Sequence, residues 1–441
     1  MSVTAVRIVL PLFCLSLILS CVAGETPAPK PKPLFRDFIG VNGHTVQFKP
    51  QLYKQVCRVV RDYHPMEWDL GKDSDYKLDF PMARNRVSWE QVYGSWKKEG
   101  FDNDVCLMFE TLKPEQWKDM PKDAYNYGLK FAQFFGPTSR ALADSAEVGN
   151  EPGKYSDEKY RVMFENMAKG LREGDPKLKI ATCNVNVGKS GDYHKSVDCV
   201  KGLENLYDVL NIHTYAQLVN WPTWKRSYPE DEKLPAYLKD IEKLIDWRNT
   251  NAPGKEIWIT EFGYDSSTKP AQKTGDFSKW IGNNDTEQAQ WLVRSFFTFA
   301  KLDVQRAYIY FFNDNDTPQF HGSSGLTRDF KPKPSFHAVG HLYRTLSEYR
   351  FARAVQEKKD EVWVHEFVHG TDPKKVIWAI WSPTGTQRKA DVEIALEGAA
   401  LAKAERMPMV EGDVPPVALT PADGKVTVPI DESPLYLFLN K

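Results

Sequence analysis

From residue 36 to about 350, short apolar runs rich in β-branched residues alternate with longer stretches whose apolar side chains recur at helical spacing. The short runs predict strands at Phe38 to His44, Val56 to Asp62, Val105 to Phe109, Glu147 to Glu151, Leu178 to Cys183, Val209 to His213, Ile257 to Glu261 and Arg306 to Phe312. The longer ones predict helices at Leu52 to Gln55, Trp89 to Lys98, Ala124 to Phe135, Ser156 to Gly174, Tyr193 to Leu206, Leu234 to Thr250, Thr286 to Lys301 and Phe336 to Tyr349. Strand-then-helix alternation repeated about eight times calls for a parallel sheet, and over roughly 300 residues it suits a closed (β/α)8 barrel, the TIM barrel. An open doubly wound sheet is the alternative, weakened because no glycine-rich dinucleotide loop follows any strand.

The pattern changes near residue 350. Val362 to His365, Val376 to Trp381, Val392 to Leu396, Val426 to Val428 and Leu435 to Leu439 are short alternating runs separated by Gly, Pro and Asp turns, with no helical period between them. They predict a small β-sandwich over 351–441, appended to a barrel over 35–350. At the other end, Arg7 and the apolar stretch Ile8 to Ser20, followed by Val22-Ala23-Gly24, read as a signal peptide over 1–24. Ile18-Leu19-Ser20-Cys21 also roughly resembles a lipoprotein box, so a lipid anchor through Cys21 stands as the alternative to simple cleavage. Residues 25–34 are a Pro-rich extended linker. The expectation is an exported protein, secreted or periplasmic.

Charge changes the picture by exclusion. With 58 basic and 59 acidic residues the net charge is -1, which leaves no electrostatic footprint for nucleic acid or an anionic membrane. Aromatics make up 13% of the chain, including 13 Trp, and sugar rings have apolar faces that pack on such rings. Cys57, Cys106, Cys183 and Cys199 are widely spaced with no metal-ligand pattern, and Cys106 and Cys183 read as buried thiols in apolar runs, with a Cys183–Cys199 bridge as the alternative.

The chemistry sits at two strand ends. Glu151 follows Asn150 and precedes Pro152, and Glu261 lies in Thr260-Glu261-Phe262-Gly263, 110 positions later (261 minus 151). In a barrel, functional side chains gather at the C-terminal ends of strands, and these two close strands four and seven. A carboxylic acid and a carboxylate across a glycosidic bond cleave it, with retention at about 5–5.5 Å and inversion at about 6.5–9.5 Å. Trp221 and Trp224, in the loop after strand six, and Trp68, after strand two, are candidates for a sugar-stacking wall.

Gly149-Asn150-Glu151-Pro152 followed by Thr260-Glu261-Phe262-Gly263 resembles the two signatures of the clan A retaining glycoside hydrolases. The resemblance spans about residues 36–350, and the appended β-domain is similar to the xylosidase-like family 39 arrangement. It implies Glu151 as acid/base and Glu261 as nucleophile. It implies that Asn150 bonds the hydroxyl beside the reacting carbon, that Arg61 keeps the nucleophile ionised, and that His213 and Tyr215 line the cleavage subsite. Many members place a Trp at the end of strand eight. Here the run is Tyr310-Phe311-Phe312-Asn313-Asp314, which puts Phe312 in that place with Asn313 beside it as a substrate contact. The implied partner is a carbohydrate, with no cofactor and no metal.

Two other readings compete. One is a catalytically silent carbohydrate-binding protein on the same scaffold. The other is a metallopeptidase, because His365-Glu366-Phe367-Val368-His369 fits the zinc pattern HExxH. That pattern needs a helix, whereas Val362 to Val368 alternates as a strand, where residues four apart are roughly 13 Å from each other.

Overall fold

A computed structural model describes Met1 and residues 31–44, 47–74 and 77–441. The expected signal peptide, Cys21 and most of the linker lie outside the described residues. Residues Lys32–Lys441 form one compact unit.

Eight parallel strands close on themselves: β1 (Ile39–Asn42), β2 (Val59–Pro65), β3 (Asp102–Met108), β4 (Ser145–Val148), β5 (Lys179–Asn186), β6 (Val209–His213), β7 (Glu256–Phe262) and β8 (Arg306–Ile309). β1 pairs with β2 and β8, and β4 pairs with β5, so no edge remains. The strands are buried on both faces, as an all-parallel sheet requires. Among the described residues six long helices accompany them: α1 (Trp89–Lys98), α2 (Met120–Phe135), α3 (Asp157–Gly174), α4 (Leu238–Asn251), α5 (Asp285–Lys301) and α6 (Pro334–Leu346). Side-chain caps start several of them where the sequence offers one: Ser88 for α1, Asp119 for α2, Ser156 for α3, and an Asn284–Glu287 capping box for α5.

Where the register is regular, inward and outward residues alternate along the strands. Val59, Ala181, Val209, Trp258 and Tyr308 pack as a layer of their own at the barrel floor. Gly40 makes room for it, since a Cβ there would stand 2.4 Å from the Tyr308 ring. Above this floor the inward positions turn polar, and the site begins.

The helix expected at Tyr193 to Leu206 does not form. Lys195 and Ser196 add a two-residue parallel strand beside β5, and the apolar spacing of Val197 and Val200 is satisfied by one 3-10 turn before Gly202. Cys183 and Cys199 are free thiols, so the bridge is not made.

From Tyr349 onward the chain is antiparallel. β9 (Tyr349–Lys358), β10 (Val362–His369), β11 (Lys375–Trp381), β15 (Leu435–Asn440) and β13 (Ala400–Arg406) form one sheet, and β12 (Ala390–Ala395) pairs with β14 (Lys425–Ile430). Val364, Trp378, Ile394, Val428 and Leu437 are among the residues that fill the core between these two layers. β9 and β13 escape the sequence reading because their half-exposed faces carry Arg, Lys and Glu. The HExxH segment is β10, not a helix. His365 bonds Glu357 at 2.8 Å, while Glu366 is held by Arg353, Trp378 and Lys441.

Candidate active site

The polar layer above the floor is built around Arg61. This residue is fully buried, and its fork donates to both oxygens of Glu147 (2.7–3.0 Å), to Asn42 Oδ1 (2.9 Å), to Asn150 Oδ1 (2.9 Å) and to Glu261 Oε1 (3.2 Å). Asn211 Nδ2 donates to Glu147 at 3.0 Å, Thr260 Oγ1 donates to Asn211 Oδ1, and Asn42 Nδ2 donates to the Thr260 carbonyl at 2.8 Å. Five strands are thus linked through side chains, with the cation compensated by carboxylates on two of them. Arg61 stays charged despite its burial, because Glu147 faces it.

Glu261 reaches the barrel mouth through an irregularity. Against β6, Ile212 pairs with Ile259 but His213 pairs with Glu261, so one extra residue sits in β7. Regular alternation from Trp258 would turn position 261 outward. The bulge keeps Thr260 in the polar layer and brings Glu261 inward as well. There Oε1 accepts from Tyr63 (2.6 Å) and Arg61, and Oε2 accepts from Tyr215 (2.9 Å). Burial alone would push its carboxyl up, but His213, Arg61 and the two phenols outweigh burial and hold it below the usual carboxylate range. Burial and the Glu261 charge raise both phenols, so Tyr63 and Tyr215 keep their protons and remain donors.

Glu151 stands opposite. Gly149 turns the chain out of β4 with φ +91°, where a Cβ would lie 2.5 Å from the Phe109 ring. Glu151 Oε1 is 2.8 Å from His213 Nδ1, and the same Nδ1 is 3.5 Å from Glu261 Oε2. A carboxylate oxygen of Glu151, His213 Nδ1 and a carboxylate oxygen of Glu261 all lie within 4.8 Å of one another. Among the described residues this is the one His/Cys/Asp/Glu group close enough to gather a metal ion. Arg61, in contact with Glu261, already supplies a positive charge there.

Glu151, Glu261, Asn150, Arg61, His213 and Tyr215 therefore come together. Phe312 does not join them: it is fully buried and stacks on Tyr53 at 3.6 Å, outside the site. Tyr310, the residue after β8, faces Tyr63 and His321, and its phenol is pushed up by burial and by the charges of Glu261 and Glu151. Asn313 is spent on the loop, accepting from Thr327 Oγ1 and the Phe330 N–H. Trp68 stacks on Trp89, which stacks in turn on His64, and so belongs to a packed aromatic column. Trp224 stacks on Phe320 at 4.7 Å, and Phe320 and His321 carry that wall on to Tyr215. His321 is neutral, its imidazole pushed down to about 4 by burial and by Arg226. Trp221 projects into solvent, 67% exposed, farther out in the same loop.

The sequence reading missed Asn42, Tyr63, Glu110, Glu147, Asn211 and Tyr310. For Asn42, Glu147 and Asn211 the signal was present, as a lone polar residue at an inward position of an apolar strand. For Tyr310 and Tyr63 only the three-dimensional arrangement separates them from core aromatics.

No family model matches the sequence, and no curated protein matches it. Solved structures do. A family 39 glycoside hydrolase from the gut symbiont Bacteroides cellulosilyticus WH2 superimposes with TM-score 0.67 at 17% identity, covering 93% of this chain and 81% of that one. The likeness is one of fold, a parallel barrel followed by an antiparallel β-domain. A glucosidase from Croceicoccus marinus gives TM-score 0.62 at 13% identity, covering 93% of this chain and 97% of that one. A family 30 subfamily 8 xylanase from Clostridium acetobutylicum gives 0.58 at 12%, again covering 93% and 97%.

Proposed function

We propose that the chain is an exported retaining glycoside hydrolase acting on a polysaccharide or oligosaccharide. The observation that carries this reading is the carboxylate spacing. The nearest oxygens of Glu151 and Glu261 lie within 4.8 Å, which matches the retaining separation of about 5–5.5 Å and falls short of the roughly 6.5–9.5 Å of inverting pairs.

Glu261, ionised beneath the sugar, attacks the anomeric carbon. The bond from that carbon to the leaving oxygen breaks, and Glu151 gives its proton to that oxygen. Water then attacks the glycosyl–enzyme ester; Glu151 takes a proton from the water, and Glu261 departs as carboxylate. Asn150 Oδ1 is occupied by Arg61, which turns its amide N–H toward the hydroxyl beside the reacting carbon. His213 bonds Glu151 in either protonation state, as donor to the carboxylate or acceptor from the carboxyl. Tyr310, Tyr215 and His321 offer ring faces and edges to the sugar. Trp224, stacked on Phe320, would extend that wall along a longer chain, with the exposed Trp221 farther out in the same loop.

A binding protein has no use for a buried carboxylate held ionised by two phenols and a guanidinium. The test is hydrolysis of a panel of aryl glycosides and polysaccharides by the wild type, Glu151→Gln and Glu261→Gln. Product stereochemistry is followed by NMR at early times. Cleavage with retained configuration, lost in both variants, is expected. Inversion, or activity unchanged in either variant, refutes the assignment.

A further inference from the structure

Glu110 lies one residue into the 3-10 turn Phe109–Thr111 that follows β3, next to the loop that carries the acid/base residue. Its Oε1 accepts from two consecutive backbone N–H groups, Asn150 at 2.8 Å and Glu151 at 3.1 Å. Its Oε2 is buried with no hydrogen-bond partner. The neighbouring side chains fix the same two segments together. Phe109 fills the space that Gly149 leaves open, and the Tyr155 hydroxyl donates to the Leu112 carbonyl at 2.7 Å while accepting from Trp117 Nε1 at 2.8 Å. A structural carboxylate at a turn would ordinarily keep its second oxygen in water, because an unpaired buried oxygen costs free energy. Here that cost is borne directly beneath the two residues the proposed reaction depends on.

We propose that Glu110 is the positioning residue of the general acid: it holds the backbone N–H groups of Asn150 and Glu151, and by fixing that backbone fixes the acid over the leaving oxygen. The proposal rests on the functional reading above. Burial pushes the Glu110 carboxyl up to about 6, against the pull of the N–H groups it accepts from, so it is ionised and a strong acceptor at neutral pH. Glu151 is held from two sides, by Glu110 through its backbone and by His213 through its side chain.

General-acid catalysis contributes on the order of 10²–10⁴-fold, and it is needed only where the leaving group is poor. The experiment therefore compares kcat/KM for phenyl, 4-nitrophenyl and 2,4-dinitrophenyl glycosides. The panel covers glucose, xylose, galactose and arabinose mono- and disaccharides. The enzymes are wild type, Glu110→Ala, Glu110→Gln and Glu151→Gln, with rates normalised to active sites titrated with a 2-deoxy-2-fluoro dinitrophenyl glycoside. For Glu110→Ala, the phenyl substrate should slow about 100-fold and the dinitrophenyl substrate by less than about fivefold. Glu110→Gln keeps an oxygen acceptor and should recover most of the loss. Equal losses on all leaving groups, or none, overturn the role of Glu110 while Glu151→Gln still shows the leaving-group signature. An inert wild type, or a Glu151→Gln variant without that signature, overturns the functional reading and this one with it.

Discussion

Tyr63→Phe tests how the nucleophile is kept ionised. The Tyr63 hydroxyl stands 2.6 Å from Glu261 Oε1, inside the range of about 2.5–2.7 Å typical of an O–H donor on a carboxylate. A hydrogen bond to a charged group contributes about 1.5–3 kcal/mol, and about 1.4 kcal/mol corresponds to one pH unit. Arg61 at 3.2 Å and Tyr215 at 2.9 Å remain, so the variant keeps the rest of the cage. Glu261 must be ionised to attack, and its carboxyl is held below the ordinary range; removing a donor that favours the anion moves it upward. The acidic limb of kcat/KM should therefore move to higher pH by about one unit or somewhat more, with the alkaline limb in place. Linkage has the same sign. A depressed carboxylate stabilises the fold above its unfolded value, and this is lost as pH falls through the folded value. Tyr63→Phe should thus melt lower than wild type at neutral pH, and the gap should close in acid. The assay is a pH–rate profile on an aryl glycoside, beside melts at matched pH. An acidic limb that stays put, or moves downward, refutes the reasoning.

Four further outcomes follow from the geometry. Because Glu151, His213 and Glu261 bring donor atoms within 4.8 Å, Zn2+ should inhibit competitively with substrate and be released by a chelator; inhibition that survives Glu151→Gln and His213→Ala would count against that site. Gly149→Ala places a Cβ 2.5 Å from Phe109 at a φ of +91°, so it should lower kcat at least tenfold while the melting temperature falls by only a few degrees, about 1–2 kcal/mol. Phe312→Ala should cost about 3–5 kcal/mol in denaturant titration, as for any large buried ring, and leave the order of preferred substrates unchanged. Arg294 on α5 pairs with Glu230 and, at 3.5 Å, with Glu432 of the β-domain, all fully buried; Arg294→Met should destabilise by about 3–5 kcal/mol, read as a lower denaturant midpoint.

Much of this protein was legible in its residues because the relevant information is local. Hydrophobic period separates strand from helix within a few turns, which is why α1 and β6 form at Trp89–Lys98 and Val209–His213 as expected. The alternation of the two kinds of element dictates a barrel, and barrel geometry dictates which strand ends meet; Glu151 and Glu261 followed from that, whereas Asn150, Arg61, His213 and Tyr215 were implied by the resemblance of the two glutamate motifs to a known family. Periodicity failed where a short apolar spacing has two solutions, as at Val197 and Val200, which one 3-10 turn satisfies. Tertiary structure alone decided the rest. The β7 bulge is a matter of register against β6, invisible in a chain whose alternation would send Glu261 outward. Which of three consecutive aromatics enters the site depends on how β8 meets its neighbours: Tyr310 faces the site and Phe312 stacks on Tyr53, though their local sequence does not tell them apart. Glu110 acquires meaning only through the backbone N–H groups of Asn150 and Glu151, which the tertiary structure brings to it from the loop after β4, because a buried charge is defined by what compensates it.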